Sequence, residues 1–160
     1  GVPALWISWF QSLCSASGVL GTLVAPVLQQ RVGIHEAARA LGAMQLACLV
    51  VGFAALLHLN SAAVFLTLVA VSRVGLWGFD VLHLSLMQTL TADDSRATVT
   101  AVQYGICDLL SLVMSLLAMI FHRVEDFTVL AVISIACVCV SVALFNYWSL
   151  TFRSNDKRRK

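Results

Sequence analysis

Cys107, Asp108, Ser111 and Met114, with Gln103, Tyr104 and Ser115 around them, recur at intervals of three and four residues. On an α-helix that spacing gathers all seven on one face. The other face reads Leu109, Leu110, Leu112, Val113, Leu116 and Leu117. A thiol, a carboxylate, a hydroxyl and a thioether in one row are donors of mixed softness; sulfur favours late first-row metals, whereas Mg and Ca prefer oxygen. Cys107 and Met114 stand about 10 Å apart along a helix axis, so one helix cannot close a site from these two alone. Asp108 is the costly member, because a carboxylate at membrane depth must be neutralised by a proton, a cation or an arginine. Two readings fit the row. It lines a water-filled cavity, the preferred reading, or it hydrogen-bonds to neighbouring helices with Asp108 paired or protonated.

A second set lies in RVGLWGFD, Arg73 to Asp80, which puts a cation and an anion inside a segment that is otherwise nearly apolar from Ala62 to Leu90. Arg73, Trp77 and Asp80 share a helical face, and Asp80, His83 and Met87 continue it. Charge at this depth marks a transport path or an intramembrane ion pair with residues of adjacent helices. His83 and Met87 are read as packing residues. Ser17, Gly21 and Ala25, at four-residue spacing, form a small-residue face that lets another helix come close.

The elements that must position these residues are membrane helices. The chain is 60% hydrophobic and 11% charged, with a mean hydropathy of +0.92, far from the composition of a water-soluble domain. Five apolar segments stand out, at 4–28, 37–59, 62–90, 98–121 and 127–150. Each reaches the ~20 residues that cross the hydrocarbon layer as a helix, and all are too long for barrel strands. Pro26 with Gln29-Gln30-Arg31 is expected to close the first, Asn60-Ser61 to separate the second from the third, and Asp93-Asp94-Ser95 to cap the fourth. Short polar joints favour antiparallel neighbours in one all-α bundle, a single unit over 1–152 followed by a basic tail at 153–160.

Charge sets the orientation. Arg31, Arg39, Arg96, Arg153, Lys157, Arg158, Arg159 and Lys160 fall on one side if the segments alternate, Arg123 falls opposite and Arg73 lies within the membrane. By the positive-inside rule the crowded side, with the C-terminal FRSNDKRRK, is cytoplasmic. That tail is an anchor touching anionic lipid. A start at Gly-Val-Pro outside the membrane is expected of a piece of a longer polypeptide. Cys14, Cys48, Cys107, Cys137 and Cys139 all lie within spans and form no disulfide framework; Cys137 and Cys139 point about 200° apart, a poor metal clamp, and paired CxxC spacing is absent. No nucleophile-base set, HExxH or phosphate loop suggests an enzyme. No cofactor and no nucleic-acid partner is expected.

RVGLWGFD, followed by SLMQTL, TADDSRATVTAVQ, DLLSLV and FHRVEDFTVLAVIS, resembles the last helices of the ferroportins, ferrous-iron exporters of the major facilitator superfamily. Upstream, Ser17-Gly18-Val19-Leu20-Gly21-Thr22 and Gln29-Gln30-Arg31-Val32-Gly33 are similar to the family's eighth helix and the cytoplasmic turn after it. The resemblance implies a twelve-helix carrier in two lobes, of which this chain would supply helices eight to twelve of the second. It also implies alternating access, exchange of metal for protons, and one metal site per lobe. The second-lobe site of the family uses a cysteine on helix seven, which has no counterpart in this chain, and a histidine on helix eleven.

Aligned without gaps from Val102-Gln103, that histidine falls on Met114, the acidic residue one turn before it on Ser111, and a family Tyr on Asp108. A thioether binds Fe²⁺ less well than imidazole, and Asp108 is the residue placed to compensate. Arg96 matches an arginine at the cytoplasmic start of helix eleven that closes the inner gate on acids of the first lobe. With Ser111 and Met114 at positions that receive the hormone hepcidin in vertebrate members, and only His58-Leu59-Asn60-Ser61 where a long extracellular loop would sit, control by such a regulator is not expected. The function implied is export of Fe²⁺ or a similar divalent cation across the plasma membrane, with the chain inactive without its first lobe and helix seven. Two alternatives stay open: another major-facilitator proton antiporter for drugs or metabolites, and a membrane scaffold subunit in which Arg73, Asp80 and Asp108 only join helices.

Overall fold

The computed structural model describes the backbone of residues 4–59, 61–120 and 127–159, and the side chains of 8–59, 61–117, 119–120 and 128–152. It consists of five helices: α1 (Ala4–Val32), α2 (Ile34–Leu59), α3 (Ala62–Leu90), α4 (Arg96–Ile120) and α5 (Phe127–Arg159). All five are long and apolar enough to cross a membrane. Asn60, Arg123 and the tail side chains from Arg153 to Lys160, used above for boundaries and charge, lie outside the described residues.

The expected stop at Pro26 is wrong. Pro26 sits inside α1, which runs on to Val32. Proline removes one helical N–H, but its exposed ring has room here, and membrane helices tolerate such a break. What ends α1 is Gly33, whose φ of 85° is a left-handed conformation that L side chains adopt at a cost of about 1–2 kcal/mol. Its N–H closes the last turn on the Gln29 carbonyl at 2.9 Å, and its own carbonyl accepts from Ala37 N–H at 3.0 Å. One residue therefore caps one helix and opens the next, and α2 begins at Ile34, not Ala37. His35 and Glu36, polar enough to read as loop, form its first turn, where an acid suits the positive helix end. Helix α5 continues to Arg159, past the expected end at Leu150, since Ser, Asn, Asp, Lys and Arg break no helix in the absence of Gly or Pro. The expected bounds of α3 are met at both ends.

The chain divides into two compact units, Gly1–His83 with Ile135–Lys160, and Leu84–Ser134. In the first, Ala25, Ala37, Ala38, Leu41 and Leu82 form the buried core. Large apolar side chains such as Leu20, Leu23, Val27 and Leu144 point outward, the arrangement expected where lipid replaces water and small residues carry helix contacts.

Glycines set the spacing around α3. A Cβ on Gly21 of α1 would stand 2.5 Å from the Val74 carbonyl oxygen and 3.1 Å from the Gly78 nitrogen, and one on Gly75 would stand 2.6 Å from the Leu41 carbonyl of α2. Backbone thus meets backbone on two sides of RVGLWGFD, which confirms the small-residue face around Gly21 and Ala25. The contacts run Gly18 to Trp77 and Gly21 to Gly78, so α1 and α3 are parallel; Leu41 to Gly78 and Gly52 to Leu68 make α2 antiparallel to α3.

Helix α5 is tied to α2 by polar bonds. Arg39 Nε donates to Asn146 Oδ1 at 2.7 Å while its guanidinium pairs with Glu36 at 3.3 Å. The fully buried Ser149 hydroxyl meets His35 Nδ1 at 3.3 Å. Phe79 and Phe145 pack edge to face at 5.0 Å, and Trp148 and Phe152 flank the His35 ring.

Candidate functional site

Helix α4 is launched by Asp93-Asp94-Ser95, the segment expected to cap it. The Ser95 carbonyl accepts from Val99 N–H at 3.0 Å, which makes Ser95 the N-cap residue. Arg96 Nη2 reaches Asp93 Oδ1 at 2.6 Å, with the Asp93 side chain 91% exposed. An exposed pair of this kind contributes about 0.2–1 kcal/mol and is readily exchanged for another. Arg96, the expected gate residue, therefore rests on an acid three residues away.

From Arg96 to Ile120 the helix is unbroken, so Cys107, Asp108, Ser111 and Met114 do share a face. Cys107 and Met114 define one edge of the strip, Asp108 and Ser115 the other, and Ser111 the middle, a width of about 120°. All five are exposed. Among the described residues of its own unit the strip makes one side-chain hydrogen bond, Ser115 Oγ to the Ser111 carbonyl at 2.9 Å, which is spent on its own helix. Among those residues the carboxylate, thiol and thioether have no hydrogen-bond partner. No group of three or more His, Cys, Asp and Glu is gathered among the described residues.

Arg73, Trp77 and Asp80 belong to the other unit. Arg73 and Trp77 line a cleft of ≈ 380 Å³ against α1, where Gln11, Cys14, Ser15 and Thr22 face them. Asp80 is exposed, and among the described residues neither Arg73 nor Asp80 forms an ion pair. His83 stacks on Phe79 at 5.9 Å, a packing role as expected.

Sequence reasoning passed over Gly18, Gly75 and Gly78, which let RVGLWGFD lie between α1 and α2. The three-residue spacing of Gly75 and Gly78 inside the charged motif was the available signal. It also took Arg39 for an orientation charge alone, and nothing local connects it to Asn146, 107 positions away.

The family model for Ferroportin1 (FPN1) matches residues 1–138. Solute carrier family 40 member 1 of Oryza sativa subsp. japonica is 31% identical over 150 residues, 91% of this chain and 31% of that protein. The fold matches crystal structures of a bacterial homologue of the iron transporter ferroportin, in the inward-facing state with a TM-score of 0.85 and in the outward-facing state with soaked iron with a TM-score of 0.87. Both are 27% identical, and the match covers 92% of this chain and 37% and 38% of those chains. The chain thus spans about a third of the length of such relatives. With the family model matched over most of its length and the five-helix arrangement shared with the bacterial homologue, this integral membrane protein belongs to the ferroportin family.

Proposed function

We propose that the chain forms part of the second lobe of an exporter that carries Fe²⁺ or a similar divalent cation out of the cytoplasm by alternating access. The observation that carries this reading is the α4 strip: Cys107, Asp108, Ser111 and Met114 exposed along a helix built to cross a membrane, with the Cys107, Asp108 and Met114 side chains unpartnered among the described residues of their unit. Unsatisfied polar groups are expensive in hydrocarbon, so such a strip belongs on a wetted path. The relation to a protein solved both inward- and outward-facing, and with soaked iron, supports the transport class.

In this reading Asp108 is the principal charge met by the cation, with Cys107 and Met114 adding sulfur and Ser111 an oxygen from the same face. The first lobe and helix seven of the family pattern supply the remaining ligands, so the chain by itself does not transport. Ligands that must be deprotonated to bind metal release it when protonated, which couples flux to pH. Arg96 exchanges Asp93 for first-lobe acids when the cytoplasmic gate closes. The C-terminus faces the cytoplasm, and the carrier sits in the plasma membrane without hepcidin-type control.

The test is Fe²⁺ efflux by the full-length protein in proteoliposomes, read at two pH values. Asp108→Asn is expected to reduce efflux and flatten its pH dependence; an unchanged pH profile refutes the role given to Asp108. Labelling of Cys107 by a water-soluble thiol reagent should depend on the gate state, and a thiol that never reacts in either state argues for the scaffold alternative.

A further inference from the structure

We propose that the cleft between α1 and α3 is a binding site for a small carboxylate or oxyanion. Arg73 is the one charged residue among those that line it, and no carboxylate lines it. Helix α1 carries no acid in its whole length, and the one acid of α3, Asp80, stands about 10 Å further along the axis. Among the described residues Arg73 and the Trp77 indole N–H have no hydrogen-bond or ion-pair partner.

The neighbouring hydroxyls do not compete for Arg73 as a counter-charge. Ser15 Oγ donates to the Gln11 carbonyl at 3.1 Å, and Thr22 Oγ1 donates to the Val19 carbonyl at 2.8 Å. Arg73, Trp77 and Gln11 all line the cleft, and each carries N–H donors, with a guanidinium fork on Arg73. A guanidinium fork matches the paired oxygens of a carboxylate or oxyanion.

The cleft is pre-built. Trp77 Nε1 and Cδ1 lie 3.0 Å from where a Cβ on Gly18 would stand, and the Gly21 to Val74 and Gly78 approach holds Arg73 one turn away. Arg73 is eleven residues into α3, about 17 Å along its axis. That is near the middle of a hydrocarbon layer about 30 Å thick, too deep for a lipid headgroup. The occupant is a free anion arriving through water, and a volume of ≈ 380 Å³ accommodates one of citrate size. This inference stands apart from the transport reading, since it uses α1 and α3 alone.

Cys14 lies in the cleft and reports on it. In the full-length protein in nanodiscs, with every cysteine except Cys14 replaced by serine, a sulfonate-bearing thiol reagent should modify Cys14 roughly fivefold faster than a trimethylammonium one, the effect of one nearby cation in a wet site. Citrate or sulfate should slow the reaction. Arg73→Gln should abolish both the charge preference and the protection, and Arg73→Lys should keep the preference. Equal rates for the two reagents, or protection that persists in Arg73→Gln, overturns the proposal. Should the serine-substituted protein not fold, quenching of Trp77 fluorescence in the native protein, taken as the difference from Trp77→Phe, replaces it. Iodide quenching better than caesium, and citrate blocking it, is then the expected result; equal quenching by both ions overturns the proposal.

Discussion

RVGLWGFD and the α4 strip both place ionisable residues at membrane depth, and they are held in opposite ways. Around Arg73 the backbone of α3 lies against α1 and α2 through Gly21, Gly75 and Gly78, so closely packed backbone stands beside the cleft. On α4, Leu109 and Leu110, on the side away from the strip, are exposed like Tyr104, at 58–59% against 57%. A polar group on a packed scaffold is positioned before its ligand arrives. One on an exposed helix face has no such support among the described residues of its unit.

Substituting glycines breaks this comparison most sharply. Gly21→Leu puts a side chain where a carbonyl oxygen already lies 2.5 Å from the first added atom, and neither backbone can yield locally. Overpacking of this kind costs about 1–3 kcal/mol and more when backbone is the obstacle. Gly105→Leu on α4 meets nothing within 4 Å and should leave stability within about 0.5 kcal/mol, as for other substitutions free of contacts. Thermal unfolding of the two variants in detergent measures the difference; similar losses would mean that α4 is as tightly seated as α3.

Gly33→Ala comes next. The open surroundings of Gly33 remove any steric objection, so the loss of about 1–2 kcal/mol expected from its left-handed backbone isolates the turn itself. A melting temperature equal to that of the parent would show that α1 and α2 can join through another conformation.

Those glycines also mark what the sequence could and could not disclose. The limits of α3 were legible because Asn60-Ser61 and Asp93-Asp94-Ser95 flank a nearly apolar run. The end of α1 was misread because Pro26 was weighed as a breaker, a rule made for helices in water, while Gly33 four residues beyond the polar Gln29 carried the true signal. The α4 strip was legible as a period, since three- and four-residue spacing survives without tertiary knowledge. Whether it lines a wetted cavity or is hydrogen-bonded to neighbouring helices is not legible there, because that depends on surfaces with no trace in the local pattern. The division of α3 and α5 between two units left no composition shift at His83 or Ser134, and Arg39 with Asn146 illustrates the same limit for a single bond.

Asn146→Ala tests the clamp that joins α5 to α2. It removes the partner of Arg39 Nε but leaves Glu36, so the guanidinium keeps its counter-charge and the loss should be that of one charge-assisted hydrogen bond, about 1.5–3 kcal/mol before solvent replaces it and less afterwards, given that the pair is partly exposed. A drop in melting temperature without change in efflux per molecule would place the clamp in the scaffold.

Arg96→Ala should have the smallest effect on stability. Its pair with Asp93 is exposed on both sides and contributes about 0.2–1 kcal/mol, so abundance and melting temperature should hardly move. Its effect on transport is expected to be the larger one, because the same weakness that makes the Asp93 pair negligible for folding makes it exchangeable when another acid approaches. Arg96→Lys keeps the charge but not the fork and should restore part of the efflux. Normal efflux by Arg96→Ala at equal surface level would remove Arg96 from the gate and leave it as a helix-start residue. A reduced rate with unchanged stability would separate a working charge on α4 from a structural one, which is the distinction that the exposed helix face poses.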